Sequence, residues 1–571
     1  MKHERKTSRI LSLLLIVALL LNLAGCVQEP VGTTTTPATQ ATTATTVPTT
    51  VPSEPEATEP SVPEPTQPAE PEVDPNELRY TLTQDDVDEF YRLLAECETL
   101  AIAGEDMEAI EAISDELDAK YEYIYSQNTI AMILYYERMG NKDRKQQHLD
   151  CVEIATAAND AYIQAVRRIY KSGTPARDML FEGWTEQDLD MLMRYDERIA
   201  QLQQRNAEIE VEYGATTKDS VRIPLYIEFV QNNNEMAQIY GFDNYYTYAY
   251  QMVYERDYDA SSVKTMRDLC KKYLPQIFEF ASLKFNSSYG GLNSKDQSAL
   301  VSFLYDDYNT LDKDYLTPYL EIMPGALKEH TEQMLNVDSM FTTSSGAMQG
   351  AFTTTIGERS YCFFGRGYKG VSTVVHEAGH YYASRYNDLG EIPLDLAELH
   401  SQGNEMLFLV NASGIMKDTV YAAASSYNIY NNIAMILICL MVDEFEQIVY
   451  TTDISGYTAE DFDKLMDSVV SQYFEPAYFK ENLTDVNAYW REVVVDQPVY
   501  YISYAVSVIS AIDLYTVALS DFEGAAEIYR KLCEEPAIDA GFLGNITAAG
   551  LSTPFDEAFY LKLRDLVVKG R

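Results

Sequence analysis

Beyond about residue 77, the apolar positions of the chain recur at three- and four-residue steps, the period of helices that bury one face. Thr83-Gln84-Asp85-Asp86 reads as a capping box opening a helix in which Val87, Phe90, Leu93, Leu94 and Cys97 share a stripe. Similar patterns over 105–139, 143–171 and 186–212, joined by short Gly-, Asn- or Pro-containing turns, predict further helices packed antiparallel and a mainly α fold. The first residues follow a different rule. Lys2, Arg5, Lys6 and Arg9 precede an apolar run from Ile10 to Leu23, which has the length of a secretory leader rather than of a membrane-spanning helix. No later segment reaches the roughly 18 continuous apolar residues that a span requires. Residues 27–76 are mostly Thr, Pro, Ala, Val and Glu without lysine or arginine, a composition that buries no core and predicts a disordered spacer. The expected organisation is a leader (1–25), a spacer (26–76), an N-terminal helical lobe (77–330) and a C-terminal region (331–571).

The chemistry concentrates at His376-Glu377-Ala378-Gly379-His380, which follows the apolar run Val371-Ser372-Thr373-Val374-Val375. Residues four apart are neighbours on a helix, so His376 and His380 can share one Zn²⁺ while Glu377 leans toward a water and serves as general base. Of six histidines in the chain, His376, His380 and His400 fall within twenty-five residues. A hydrolytic zinc needs a third protein ligand, and Glu398 is the leading candidate. It lies in a segment where Asp395, Glu398, Gln402 and Glu405 would share one helical face. Ligating histidines donate their second N–H to a carboxylate or carbonyl, which suggests supporting roles for Asp395 and Glu405. His400 is the rival ligand, two positions from Glu398 and pointing off its face. Gly379 would let another segment approach the zinc helix closely. Gly365-Arg366-Gly367 reads as a turn, with a mobile cleft lip as the alternative.

Three stretches together resemble the thimet oligopeptidase and oligoendopeptidase F group of zinc metallopeptidases. Gly350-Ala351-Phe352 and Ser360-Tyr361-Cys362-Phe363-Phe364-Gly365 resemble the group's substrate-side strand, which leads into Thr-x-x-His-Glu-x-x-His. The segment from Asp395 through Glu398 and Ser401-Gln402 to Glu405 resembles the one that supplies the third zinc ligand, which carries over to Glu398. Pro498-Val499-Tyr500-Tyr501-Ile502-Ser503-Tyr504-Ala505 is similar to its tyrosine-rich helix over the metal, and Gly241 through Tyr248 is a weaker match. The resemblance implies a helical clamshell with a deep substrate channel and a small β-sheet beside the zinc helix, with 331–571 as the catalytic region and the two lobes interleaved in sequence. It also implies one Zn²⁺ per chain, short unfolded peptides as substrates cut at internal bonds, and Tyr500 and Tyr504 as donors to a tetrahedral oxyanion. One departure stands out. The group places a histidine about five residues before the first of these tyrosines, whereas Trp490 to Gln497 contains none and no histidine follows His400. That gap motivates a second reading, a peptide-binding lipoprotein with impaired turnover. A third keeps the enzyme but releases dipeptides from a carboxyl end.

Leu23-Ala24-Gly25-Cys26 resembles a bacterial lipobox and predicts a lipid on Cys26, which would place the protein at the outer face of a bacterial cell membrane. The formal charge of the chain is −45, and residues 1–25 carry four basic groups to one acidic, so the mature protein would be more negative still. Nucleic acid is excluded as a partner on that balance, and a solvated acidic surface is its ordinary meaning. The other six cysteines show no paired Cys-x-x-Cys spacing. Outside the cell they could pair, but several lie in apolar helical runs where buried free thiols are ordinary.

Overall fold

The computed structural model describes residues 78–387, 392–474, 490–491, 494–495 and 497–569. The proposed leader, the spacer and Cys26 lie outside them.

The amino-terminal helices form where the apolar stripe and the caps agree. Helix α1 (Gln84–Ala103) begins with the predicted capping box: Thr83 Oγ1 accepts from the Asp86 N–H while Asp86 Oδ2 accepts from the Thr83 N–H at 3.0 Å. Val87, Phe90, Leu93, Leu94 and Cys97 are its buried face, and Gly104 ends it with φ +64°. Helices α2 (Met107–Glu137) and α3 (Lys142–Ser172) match the predicted ranges to within two residues and pack with α1 into a stack joined by short turns. The pattern over 186–212 is interrupted. A short helix ends at Arg194, Tyr195 is extended (ψ 135°), and α4 (Arg198–Gly214) starts afresh. The Asp196 carboxylate accepts the Arg198 N–H at 2.8 Å, the local side-chain bond by which Asp competes with a continuous helix. Helix α5 (Asp219–Ile239) packs on α4, and α6 (Ala260–Gly290) follows.

A three-stranded sheet separates the amino-terminal stack from the site. Its strands are β1 (Ser339–Phe341), β2 (Ala351–Ile356) and β3 (Arg359–Phe364), in the order β1-β3-β2, with β1 parallel and β2 antiparallel to β3. Because side chains alternate across a sheet, Phe352, Tyr361 and Phe363 pack with Ile133 of α2, while Ala351, Cys362 and Phe364 join the larger core on the opposite face. Thr353 pairs with Cys362 and shares its face. Arg366 and Gly367 form the turn after β3, closed by the Tyr368 N–H donating to the Gly365 carbonyl at 3.2 Å, while the N–H groups of Gly365 and Arg366 donate to the Gly350 and Met348 carbonyls at 2.8 and 2.9 Å.

On that face lie α7 (Val371–Ser384), α8 (Leu394–Ala412), α9 (Asp418–Thr451), α10 (Ile502–Ala518) and α11 (Phe522–Glu534). Helix α8 sits between α7 and α10, so its polar residues are buried against both. The largest core runs from Ile209 to Val567 and passes through residue 330 without a break. The architecture is thus mainly helical with a small sheet beside α7. No helix among the described residues is long and apolar enough to cross a membrane. The six described cysteines are free and buried.

Candidate metal centre

Where α7 crosses α8, Gly379 has no side chain to keep the two apart. A Cβ there would lie 2.8 Å from Ser401 Cα and would overlap the His400 carbonyl, both of them backbone. The crossing brings Glu398 under the two histidines. Gly379→Ala should therefore force α8 away, lowering stability by about 2–3 kcal/mol as overpacking does and weakening metal binding together with it. Denaturant unfolding of both proteins with and without zinc checks this.

His376, His380 and Glu398 each offer one ligand atom, and these atoms lie within 4.8 Å of one another. Glu398 Oε2 is 3.8 Å from Nε2 of each histidine, too long for a hydrogen bond. Metal–ligand bonds of about 2.0–2.1 Å set a tetrahedral edge of roughly 3.4 Å, close to that spacing. Both Nε2 atoms are buried and have no hydrogen-bond partner among the described residues. Two orphaned imidazole nitrogens facing a carboxylate oxygen, all at most 3 % exposed, leave buried polar atoms that a cation would satisfy. An N₂O set of this kind suits Zn²⁺.

The remaining polar positions of α8 orient these groups. Glu405 Oε1 is 2.8 Å from His376 Nδ1, and its other oxygen accepts from Ser372 Oγ at 2.7 Å. Nδ1 is thereby the proton-bearing nitrogen and Nε2 is turned to the metal position. Burial lowers the His376 pKa, but the carboxylates of Glu405, Glu377 and Glu398 together outweigh it and bring the imidazole up to about 9. His380 is driven well below its ordinary value by burial, with His376 and His400 adding to the effect. Asn404 donates to the Val375 carbonyl at 2.7 Å, a second tie between α8 and α7. Gln402 faces α10 and accepts from Ser507 Oγ at 2.8 Å.

Glu377 points toward the sheet side of the cluster. Its Oε2 accepts from Thr353 Oγ1 at 2.7 Å, and Oε1 has no hydrogen-bond partner among the described residues. Burial pushes the carboxyl up to about 7, with His376 and the Thr353 hydroxyl opposing. A carboxylate held at one oxygen and open at the other suits a proton carrier working near neutral pH. Thr353→Val should remove that hold and lower kcat by roughly 10- to 100-fold, the worth of a hydrogen bond to a charged group. Thr353→Ser should retain most of the rate, and steady-state kinetics of the two variants separate these outcomes.

Other predicted residues have different surroundings. Asp395 faces Arg256, with Oδ1 4.0 Å from Nε, rather than a ligating histidine. His400 turns away from the cluster, its Nε2 2.9 Å from the Leu532 carbonyl oxygen, and burial lowers its pKa to about 4, which keeps the ring neutral. The Tyr500 hydroxyl donates to Glu398 Oε1, the oxygen remote from the histidine nitrogens. The Tyr504 ring stands edge-on to that of Tyr500, with centroids 5.4 Å apart. Thr353 and Arg256 were not anticipated. The alternation of β2 beside a zinc helix could have pointed to Thr353, whereas no local signal marks Arg256.

No family model and no curated protein matches the sequence of the chain. Solved structures do match its shape. PZ peptidase A with an inhibitor superposes with a TM-score of 0.66 at 16% identity, covering 86% of this chain and 99% of that one. A protein described as an oligoendopeptidase F from Bacillus anthracis str. Ames gives 0.63 at 14% identity, covering 86% and 97%. The fold is that of the oligoendopeptidases. An oligoendopeptidase-F from Enterococcus faecium gives 0.52 at 14% identity, over 86% of this chain and 98% of that one. These matches span nearly the whole of each of the three solved structures.

Proposed function

We propose that this chain is a zinc-dependent oligoendopeptidase that hydrolyses internal bonds of short, unfolded peptides at the outer face of a bacterial cell membrane. The observation that carries the reading is the convergence of His376, His380 and Glu398 with the open oxygen of Glu377 beside them. When bound, zinc supplies Lewis acidity that polarises the scissile carbonyl and lowers the pKa of water to about 7. Glu377 Oε1 takes the proton of the attacking water and passes it to the departing amine, while Thr353 fixes the other oxygen. Glu405 holds the His376 tautomer. Tyr504 would donate to the oxyanion, while Tyr500, expected from the sequence as a second such donor, instead gives its hydroxyl to the outer oxygen of Glu398 and steadies that ligand. Asp395 supports the site through Arg256. The likeness to oligoendopeptidase structures supports the substrate class. The apolar leader and the Leu23-Ala24-Gly25-Cys26 sequence support a lipid anchor on Cys26, with the polar spacer lifting the enzyme from the membrane.

The absence of histidine after His400 favours, as the second reading, a lipoprotein that binds peptides with little turnover. Incubating the purified protein with peptides of several lengths and mapping products by mass spectrometry separates the readings. Cuts at internal bonds support the endopeptidase, serial loss of carboxyl-terminal dipeptides supports a dipeptidyl carboxypeptidase, and binding without cleavage supports the lipoprotein.

A further inference from the structure

The residue before Tyr500 adopts a conformation that its side chain opposes. Val499 has φ +64°, in the left-handed region that β-branched residues avoid. Both of its backbone polar groups are held by buried side chains from distant parts of the chain. Glu446, on α9, accepts the Val499 N–H at Oε1 at 2.9 Å. Arg256, just before α6, donates from Nη2 to the Val499 carbonyl at 2.9 Å and to Ser503 Oγ at 3.0 Å. Tyr254 donates to the preceding carbonyl, that of Pro498, at 2.7 Å. The Arg256 side chain is fully buried between the rings of Tyr250 and Tyr254, 4.3 and 4.5 Å from their centroids, with Asp395 Oδ1 4.0 Å from its Nε. One residue beyond this grip, the Tyr500 hydroxyl reaches the candidate zinc ligand Glu398.

We infer that Arg256 and Glu446 are positioning residues that hold Val499 in its unfavourable conformation so that Tyr500 stays on Glu398. The inference rests on the zinc-peptidase reading for its consequence in catalysis, but the hold on the backbone exists without metal. Strain of this kind persists only where surrounding groups over-determine it, and here an acceptor and a donor grip the two sides of one residue. Released from either, Val499 relaxes toward extended φ and ψ, and Tyr500 swings off the ligand. Glycine at 499 would adopt the same φ without the grip.

The test uses Glu446→Leu, which removes the acceptor, Glu446→Gln, which keeps one at Oε1, and Glu446→Leu combined with Val499→Gly. Hydrogen exchange of residues 497–503 in the metal-free protein should speed up about tenfold in Glu446→Leu, as local opening does, and remain slow in Glu446→Gln. In the zinc-loaded protein, Glu446→Leu should lower kcat about tenfold with KM nearly unchanged, the cost of a misplaced group. Tyr500→Phe should lower kcat similarly, and adding Glu446→Leu to it should cost little more, because both remove one interaction. Val499→Gly should return most of the kcat lost in Glu446→Leu. The inference is overturned if Glu446→Leu lowers only the melting temperature while local exchange and kcat hold, if its effect adds fully to that of Tyr500→Phe, or if glycine at 499 restores nothing. A wild-type protein that cleaves no peptide defeats the zinc-peptidase reading, and exchange in the metal-free protein still decides the grip on Val499.

Discussion

Glu377→Gln should bind zinc with unchanged stoichiometry and cleave peptides about 10²- to 10⁴-fold more slowly, the range that general acid–base groups contribute. The amide keeps the size of the carboxylate and can still accept from Thr353 Oγ1, so the fold and the α7–α8 crossing are preserved. It cannot carry a proton. The loss should fall on kcat with KM little altered, since Glu377 is called upon in the transition state and not for holding the peptide. Metal content measured beside the kinetics guards against a trivial cause. If zinc leaves with the activity, Glu377 is acting on the metal; if zinc stays and the rate also stays, another base moves the proton.

The second large effect belongs to the carboxylates of α8. Glu398→Ala removes the oxygen that faces both orphaned Nε2 atoms and should weaken zinc binding by more than the roughly 10–100-fold that losing an outer partner costs. Glu405→Gln should fall within that 10–100-fold range, because the amide can accept from His376 Nδ1 but carries no charge to oppose the imidazole. His400→Ala should leave zinc affinity unchanged, its ring nitrogen being turned to the Leu532 carbonyl. Competition with a chromophoric chelator ranks the three. An order in which His400→Ala weakens zinc more than Glu398→Ala would exchange the third ligand.

What the sequence revealed was periodic. The i, i+4 histidines, the α8 face from Asp395 to Glu405 and the capping box at Thr83 all follow from repeat lengths that a helix imposes on neighbouring residues. Gly379 was readable as a point of close approach, but which segment approaches depends on the α7–α8 crossing, which local sequence does not encode. Thr353 was half legible. Strand alternation puts it on one face, yet its bond to Glu377 requires knowing which face meets α7. Asp395 shares the helical face of Glu398, and at one end of that face it meets Arg256, more than a hundred residues away in sequence. The break at Tyr195 escaped the hydrophobic pattern because polar bonds mark it: Arg167, from α3, donates to the Met193 and Tyr195 carbonyls, and Asp196 accepts the Arg198 N–H.

Whether this chain cuts peptides with a single zinc is decided by titrating zinc into the chelator-stripped protein and reading cleavage of an internally quenched peptide at each step. A zinc peptidase built on His376, His380 and Glu398 should show no cleavage without metal and a linear rise that saturates at one zinc per chain, absent in Glu398→Ala. Cleavage that survives stripping, or one bound zinc per chain with no cleavage of any peptide offered, would contradict that assignment.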